Sequence, residues 1–193
     1  MPKVGIERDP DLLAAKLPRR FPGEAMLLGL DLGTACGYTF AYHRPVLPID
    51  PEKLNLHMGQ LSLSAGPYDS GALRFARLRQ FLFVLRPDAV FFEDVKFTPS
   101  GPLHGGNVGA IVSRMATSCE LFGAFKATVA TWCEEAGVPC GSFSIQEIKK
   151  RATGKGNANK EAVIQAVNTL FGADLDPEGY ESTGADNVAD SAV

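Results

Sequence analysis

The sequence is short of the side chains that build soft-metal sites and covalent frameworks. It has four cysteines and three histidines in 193 residues. Cys36, Cys119, Cys133 and Cys140 contain no C-x-x-C pair, and His43, His57 and His104 stand at no zinc-ligand spacing, so neither a zinc centre nor a disulfide scaffold is expected. No run of about 18 apolar residues could span a bilayer, and the N-terminus lacks the apolar stretch of a signal peptide. Reduced thiols and no contact with a membrane imply a cytoplasmic protein. Basic charge is not in excess either, with 19 Lys and Arg against 22 Asp and Glu and a net charge of −3. Any nucleic-acid partner would therefore be recognised by a local patch rather than by bulk charge.

What is present is 45% hydrophobic and 21% charged, the composition of a soluble globular chain. One domain is expected over residues 26–193, preceded by an arm, residues 1–25, that carries Pro2, Pro10, Pro18 and Pro22 and at most one helical turn at 11–16. The stretch Leu27-Leu28-Gly29-Leu30-Asp31-Leu32-Gly33-Thr34 reads as a buried strand ending in a turn, and Tyr38-Thr39-Phe40-Ala41-Tyr42 as the strand returning from it. Asp31 is an acid at the end of that apolar run, where an isolated ionised carboxylate would be costly. It either accepts hydrogen bonds from turn amides or joins other carboxylates around a cation. Only the rest of the chain can decide between these.

A third alternating strand is expected at 54–63, which makes His57 a strand residue rather than a ligand. Leu73, Phe75, Leu78, Phe81, Leu82 and Leu85 keep helical spacing until Pro87 stops the helix. Residues 89–95 form a buried strand ending in Glu93 and Asp94, which must face opposite ways because strand side chains alternate. A Pro- and Gly-rich loop at 96–107 follows. A long helix at 107–136, about 45 Å at 1.5 Å per residue, then keeps an apolar stripe broken by Lys126. The stripe reads as core packing, with length to spare for a partner subunit.

After a further strand at 138–145 the character changes. Residues 149–160 hold Lys149, Lys150, Arg151, Lys155 and Lys160 and no acid, with Gly154 and Gly156 among them. They precede a helix with apolar positions Val163, Ile164, Val167, Leu170 and Phe171, capped by Asn157 or Asn159. This segment is a solvated charged turn or a phosphate-binding one; the glycines allow close backbone approach, but the spacing is not that of a Walker A loop. A final helix at 183–193 puts Asp186 and Asp190 on one face at i, i+4, with Asn187 beside them.

Four motifs in this order carry a resemblance: Gly29-Leu30-Asp31-Leu32-Gly33-Thr34 with Gly37 and Tyr38; Phe92-Glu93; Ile148-Lys149-Lys150 with Thr153-Gly154-Lys155-Gly156 and Lys160-Glu161-Ala162-Val163; and Asp186-Asn187-Val188-Ala189-Asp190-Ser191-Ala192. Together they resemble the RuvC-type Holliday junction resolvases of the ribonuclease H-like superfamily, as a phage or divergent bacterial member. The resemblance implies an α/β ribonuclease H-like fold, a central mixed five-stranded sheet flanked by helices. It also implies a homodimeric endonuclease that hydrolyses branched DNA, four-way junctions foremost, in a bacterial cell or phage-infected host.

By position, Asp31, Glu93, Asp186 and Asp190 would hold two Mg²⁺ ions, with Mn²⁺ able to substitute. The family commonly has an acid where this chain has Asn187; Asp186, one residue earlier on the same helical face, would take its place, or Asn187 would serve as a neutral ligand. Lys149 and Lys160 match positions that contact the scissile strand. Lys150, Arg151 and Lys155 would add phosphate contacts, and Phe97, offset by one residue, would wedge against bases at the junction centre. Hard oxygen ligands suit Mg²⁺ or Mn²⁺, and two carboxylates 4 Å apart repel by roughly 4 kcal/mol at an effective dielectric of 20, which a cation relieves. The motif Asp31-Leu32-Gly33-Thr34 equally resembles the first phosphate motif of actin-like ATPases and sugar kinases. Those proteins use two such domains, where this chain has room for one. A binding protein that recognises branched DNA without cutting it is the other alternative.

Overall fold

The computed structural model describes residues 6–7, 17–45, 47–48, 54–95, 108–176, 189 and 191–192. The strands are β1 (Ile6–Glu7), β2 (Ala25–Asp31), β3 (Ala35–His43), β4 (His57–Ser62), β5 (Ala89–Glu93) and β6 (Cys140–Phe143). The helices are α1 (Leu73–Leu85), α2 (Val108–Ala136), α3 (Ile145–Thr153) and α4 (Lys160–Phe171). Ala189, Ser191 and Ala192 are also helical, within the segment expected to form the last helix.

The strands form one mixed sheet in the order β1-β4-β3-β2-β5-β6. Strands β2, β3 and β4 make an antiparallel meander, and β5 and β6 add parallel to β2. This is the expected five-stranded ribonuclease H-like sheet. The N-terminal arm contributes one addition that its composition did not signal: Ile6–Glu7 pairs parallel with β4 and lengthens the sheet by a two-residue edge.

The pleat divides the sheet into two faces. On β2 the residues alternate in burial, with Met26, Leu28 and Leu30 buried among α1 and α2 beside Val90, Phe92, Phe81, Phe125 and Trp132. The opposite face is covered by α4 and the terminal helix, whose Ala189 packs with Val163, Ile164, Val167 and Leu175. Helix α2 follows its expected span closely, and Lys126, the interruption in its stripe, pairs with Asp94.

The segment after α2 differs from its sequence reading. Residues 138–145 yield a strand of only four residues, and what looked like a basic loop is a helix and a turn. Ser144 and Glu147 form a reciprocal capping box that starts α3 at Ile145. Gly154, with φ of 77°, ends it in the left-handed conformation that favours glycine. Of the two asparagines, Asn159 caps α4, its side chain accepting from the amide of Ala162.

Candidate active site

Sheet register puts the first two acids side by side. Leu30 of β2 pairs with Phe92 of β5, and Asp31 and Glu93 follow directly on that pair. Because the strands are parallel and in register, both acids leave the same face at the same end, on strands about 4.8 Å apart. Glu93 is buried and Asp31 half-buried. The expected separation of Glu93 from Asp94 also holds in the geometry: Asp94 turns to the other face and pairs with Lys126 of α2, whose ammonium lies 5.9 Å from the centre of the Phe92 ring.

The terminal helix reaches this same face. The Ser191 and Thr39 hydroxyls are 2.8 Å apart and buried, and Thr39 is paired with Gly29 on β2. A Cβ on Gly29 would lie 2.0 Å from the Ser191 carbonyl oxygen, so only glycine admits the helix this close to the strand. Gly29 lies two residues, about 6.6 Å, before Asp31. Asp186, Asp190 and Phe97 lie outside the described residues, as do residues 96–107. The neighbours of position 190 are described, and they rest on the acid-bearing face.

A cavity of about 200 Å³ opens beside Glu93. Its wall is apolar, with Leu27, Leu54, Leu56, Phe91 and Phe143, and it also includes Ser191 and Ile148. Ile148 is the buried residue of α3, so the helix that carries Lys149, Lys150 and Arg151 is seated against the wall that holds Glu93. Lys150, Arg151, Lys155 and Lys160 are exposed. Lys149 instead donates to the Ala158 carbonyl at 2.8 Å and ties down the 154–159 turn. The Thr153 hydroxyl adds to that turn, lying 2.8 Å from the Lys149 carbonyl and accepting from the Lys155 amide.

The local electrostatics favour oxygen chemistry. Cys36 packs in the opposite, α1/α2 core, and burial together with the Asp31 charge pushes its thiol far above the usual range. It therefore stays protonated and is unsuited to ligate a metal. His57 stacks on Phe40 at 5.0 Å, and burial lowers its pKa, as befits a strand residue. Among the described residues no group of three or more His, Cys, Asp or Glu could by itself hold a metal. Asp31 and Glu93 supply two hard oxygen donors on one sheet face, a donor set that fits a hard divalent cation such as Mg²⁺ or Mn²⁺.

Comparison with solved structures gives the same architecture. The chain is similar to Thermus thermophilus RuvC, with a TM-score of 0.57 and 23% identity over 86% of this chain and 91% of that one. T. thermophilus RuvC in complex with Holliday junction substrate matches with a TM-score of 0.59 and 22% identity, over 87% and 91%. This chain has the RuvC fold. The yeast mitochondrial Holliday junction resolvase Ydc2 matches as well, with a TM-score of 0.53 and 15% identity over 94% of this chain and 81% of that one. No protein-family model and no curated protein matches the sequence. Within this RuvC-like fold, register places Asp31 beside Glu93, and Gly29 admits the terminal helix.

Sequence reasoning assigned no role to three contributors to the site. Ile148 seats α3, and the Ser144-x-x-Glu147 signature that announces this helix was legible in the chain. The Thr39–Ser191 contact spans 152 residues and had no local signal beyond a glycine in an otherwise bulky strand. Phe143 lines the cavity with Glu93 because β6 ends in register with β5.

Proposed function

We propose that this protein is a divalent-metal-dependent endonuclease that cuts branched DNA, with the four-way junction as its foremost substrate. The observation that carries the reading is the placement of Asp31 and Glu93 side by side on one sheet face, where the segment bearing position 190 docks, within a RuvC-like fold. Asp186 and Asp190 would complete the acidic set, and with Asp31, at the centre of the sheet, and Glu93 they would hold a pair of divalent ions. When bound, a pair of Mg²⁺ or Mn²⁺ ions activates the attacking water and neutralises the leaving oxygen of an in-line phosphodiester displacement.

The chain's own residues do the rest. The sheet fixes Asp31 and Glu93 in a geometry that does not reorganise, and the apolar wall beside Glu93 limits access of bulk water. Lys150, Arg151, Lys155 and Lys160 face solvent at the α3–α4 turn and hold the phosphate backbone. Lys149 presets that turn from within. A homodimer would carry two such sites related by a two-fold axis, matching the two opposed strands of a junction.

Cleavage of four-way, three-way and linear DNA with Mg²⁺ and with Mn²⁺ tests the reading. The expected result is metal-dependent cutting of branched substrates, abolished by Asp31→Asn. Tight ATP binding with uncut junctions would overturn it in favour of a nucleotide-binding protein. Metal-independent junction binding, equal in the parent and Asp31→Asn, with no cutting by either would instead show a non-catalytic junction binder.

A further inference from the structure

The row of residues that contains the acids does not end with them. Glu93 pairs with Phe143 of β6, so Asp31, Glu93 and Phe143 occupy successive strands at one level of the sheet. Partners in parallel register share a face, which puts the Phe143 ring about 5 Å beyond Glu93 and about 10 Å beyond Asp31. Both Phe143 and Phe91, two residues before Glu93, line the cavity that Glu93 enters. Their ring centres are 5.8 Å apart at an interplanar angle of 31°. Phe143 is 40% exposed and Phe91 37%, unusual for large aromatics on a strand next to a buried acid. Gly141, beside Phe91, keeps the space next to that ring open; a Cβ there would sit 3.2 Å from it.

We propose that Phe143, backed by Phe91, is a stacking surface for the nucleobase adjoining the scissile phosphate. The inference rests on the nuclease reading and deepens it by assigning the base a place. With the scissile phosphate held at the two acids, an aromatic one strand further along the same row lies where the base of a nucleotide that has left its stack would extend. Charge complementarity points to the same occupant: α3 starts two residues after Phe143 and carries Lys150 and Arg151 exposed one turn further on. Stacking on an aromatic face is indifferent to base identity, so the surface selects unstacked nucleotides, as at a junction centre, over continuous duplex.

The test uses the full-length protein and a four-way junction carrying the fluorescent base 2-aminopurine next to the mapped cleavage position, with binding measured in Ca²⁺ and cleavage in Mg²⁺. Phe143→Leu keeps apolar volume and removes the stacking face. It is expected to weaken junction binding on the order of tenfold and to abolish the quenching of 2-aminopurine. Phe143→Tyr should restore both, and the salt dependence of binding should be the same in all three proteins because no phosphate contact is touched. Parental affinity and quenching in Phe143→Leu would overturn the stacking role while leaving the nuclease intact. Quenching that Phe143→Leu abolishes, in a parent that never cuts with either metal, would support the stacking role and overturn the nuclease reading. A parent that binds neither junction nor single strand would overturn both.

Discussion

Ser191 and Thr39 share a hydrogen bond of 2.8 Å between buried hydroxyls. That contact joins the terminal helix to β3, over a glycine of β2 that leaves the room. It brings the segment carrying position 190 to the face where Asp31 and Glu93 stand.

Gly29→Ala should therefore dislodge the terminal helix and spare the α1/α2 core. The added methyl would lie 2.0 Å from the Ser191 carbonyl oxygen, and overpacking of this kind costs about 1–3 kcal/mol. We expect a melting temperature lower by several degrees, loss of amide protection around residue 191, and cleavage reduced to background. Hydrogen exchange and thermal melting measure the first two.

The hydroxyl pair itself is suited to a double-mutant cycle. Ser191→Ala and Thr39→Val are each expected to lower stability, and the coupling between them should be about 1 kcal/mol, the usual net worth of a buried neutral hydrogen bond. Denaturant titration of the four proteins gives the value. A coupling near zero would mean that apolar packing alone docks the helix.

Asp31→Asn and Glu93→Gln should abolish cutting and leave junction binding in place or tighter, since each removes a negative charge facing phosphate. Carboxylates about 5 Å apart repel by roughly 3 kcal/mol at an effective dielectric of 20. Without metal, either variant should thus melt at or above the parental temperature. Saturating Mg²⁺ should raise the parental melting temperature, by about 1.4 kcal/mol of stability at ten times its dissociation constant, and raise that of the variants much less.

Asp94→Asn is the control for its neighbour. Asp94 and Lys126 form a part-buried ion pair across to α2, and breaking it should cost about 1 kcal/mol. Cleavage at a temperature well below the melting transition should stay near parental. A cleavage defect as deep as that of Glu93→Gln would show that Asp94 supplies the metal ligand.

Acid should weaken the fold through His57. Burial lowers the pKa of His57 below its ordinary value of 6.5, so the unfolded chain binds this proton more readily than the folded one. The contribution to stability is complete above pH 6.5 and is lost as the pH falls from there through the folded value. His57→Gln should flatten that part of the stability profile, measured by urea titration between pH 5 and 8.

Much of this architecture was legible in the chain. A short apolar run bounded by glycines exposed β2 and the turn after it β3, alternation exposed β4, the 3.6-residue period exposed α1 and α2, and the order of four motifs pointed to a ribonuclease H-like sheet. These features are legible because they are local: periodicity reports which face of one element is buried, and turn residues report where it ends. Helix α3 also has a local signal, its Ser144 and Glu147 capping box, which stands immediately before a run of cations.

The site was decided elsewhere. Sequence alone could name Asp31 and Glu93 as strand-end acids and exclude a common face for Glu93 and Asp94, because alternation is a property of a single strand. Their adjacency is a matter of which strand pairs with which and in what register, and those pairings join residues 62 positions apart. The seat of the terminal helix on Gly29 and the alignment of Phe143 with the acids have the same origin. Local chemistry selected the residues, and long-range packing, which no window of sequence encodes, selected which of them meet.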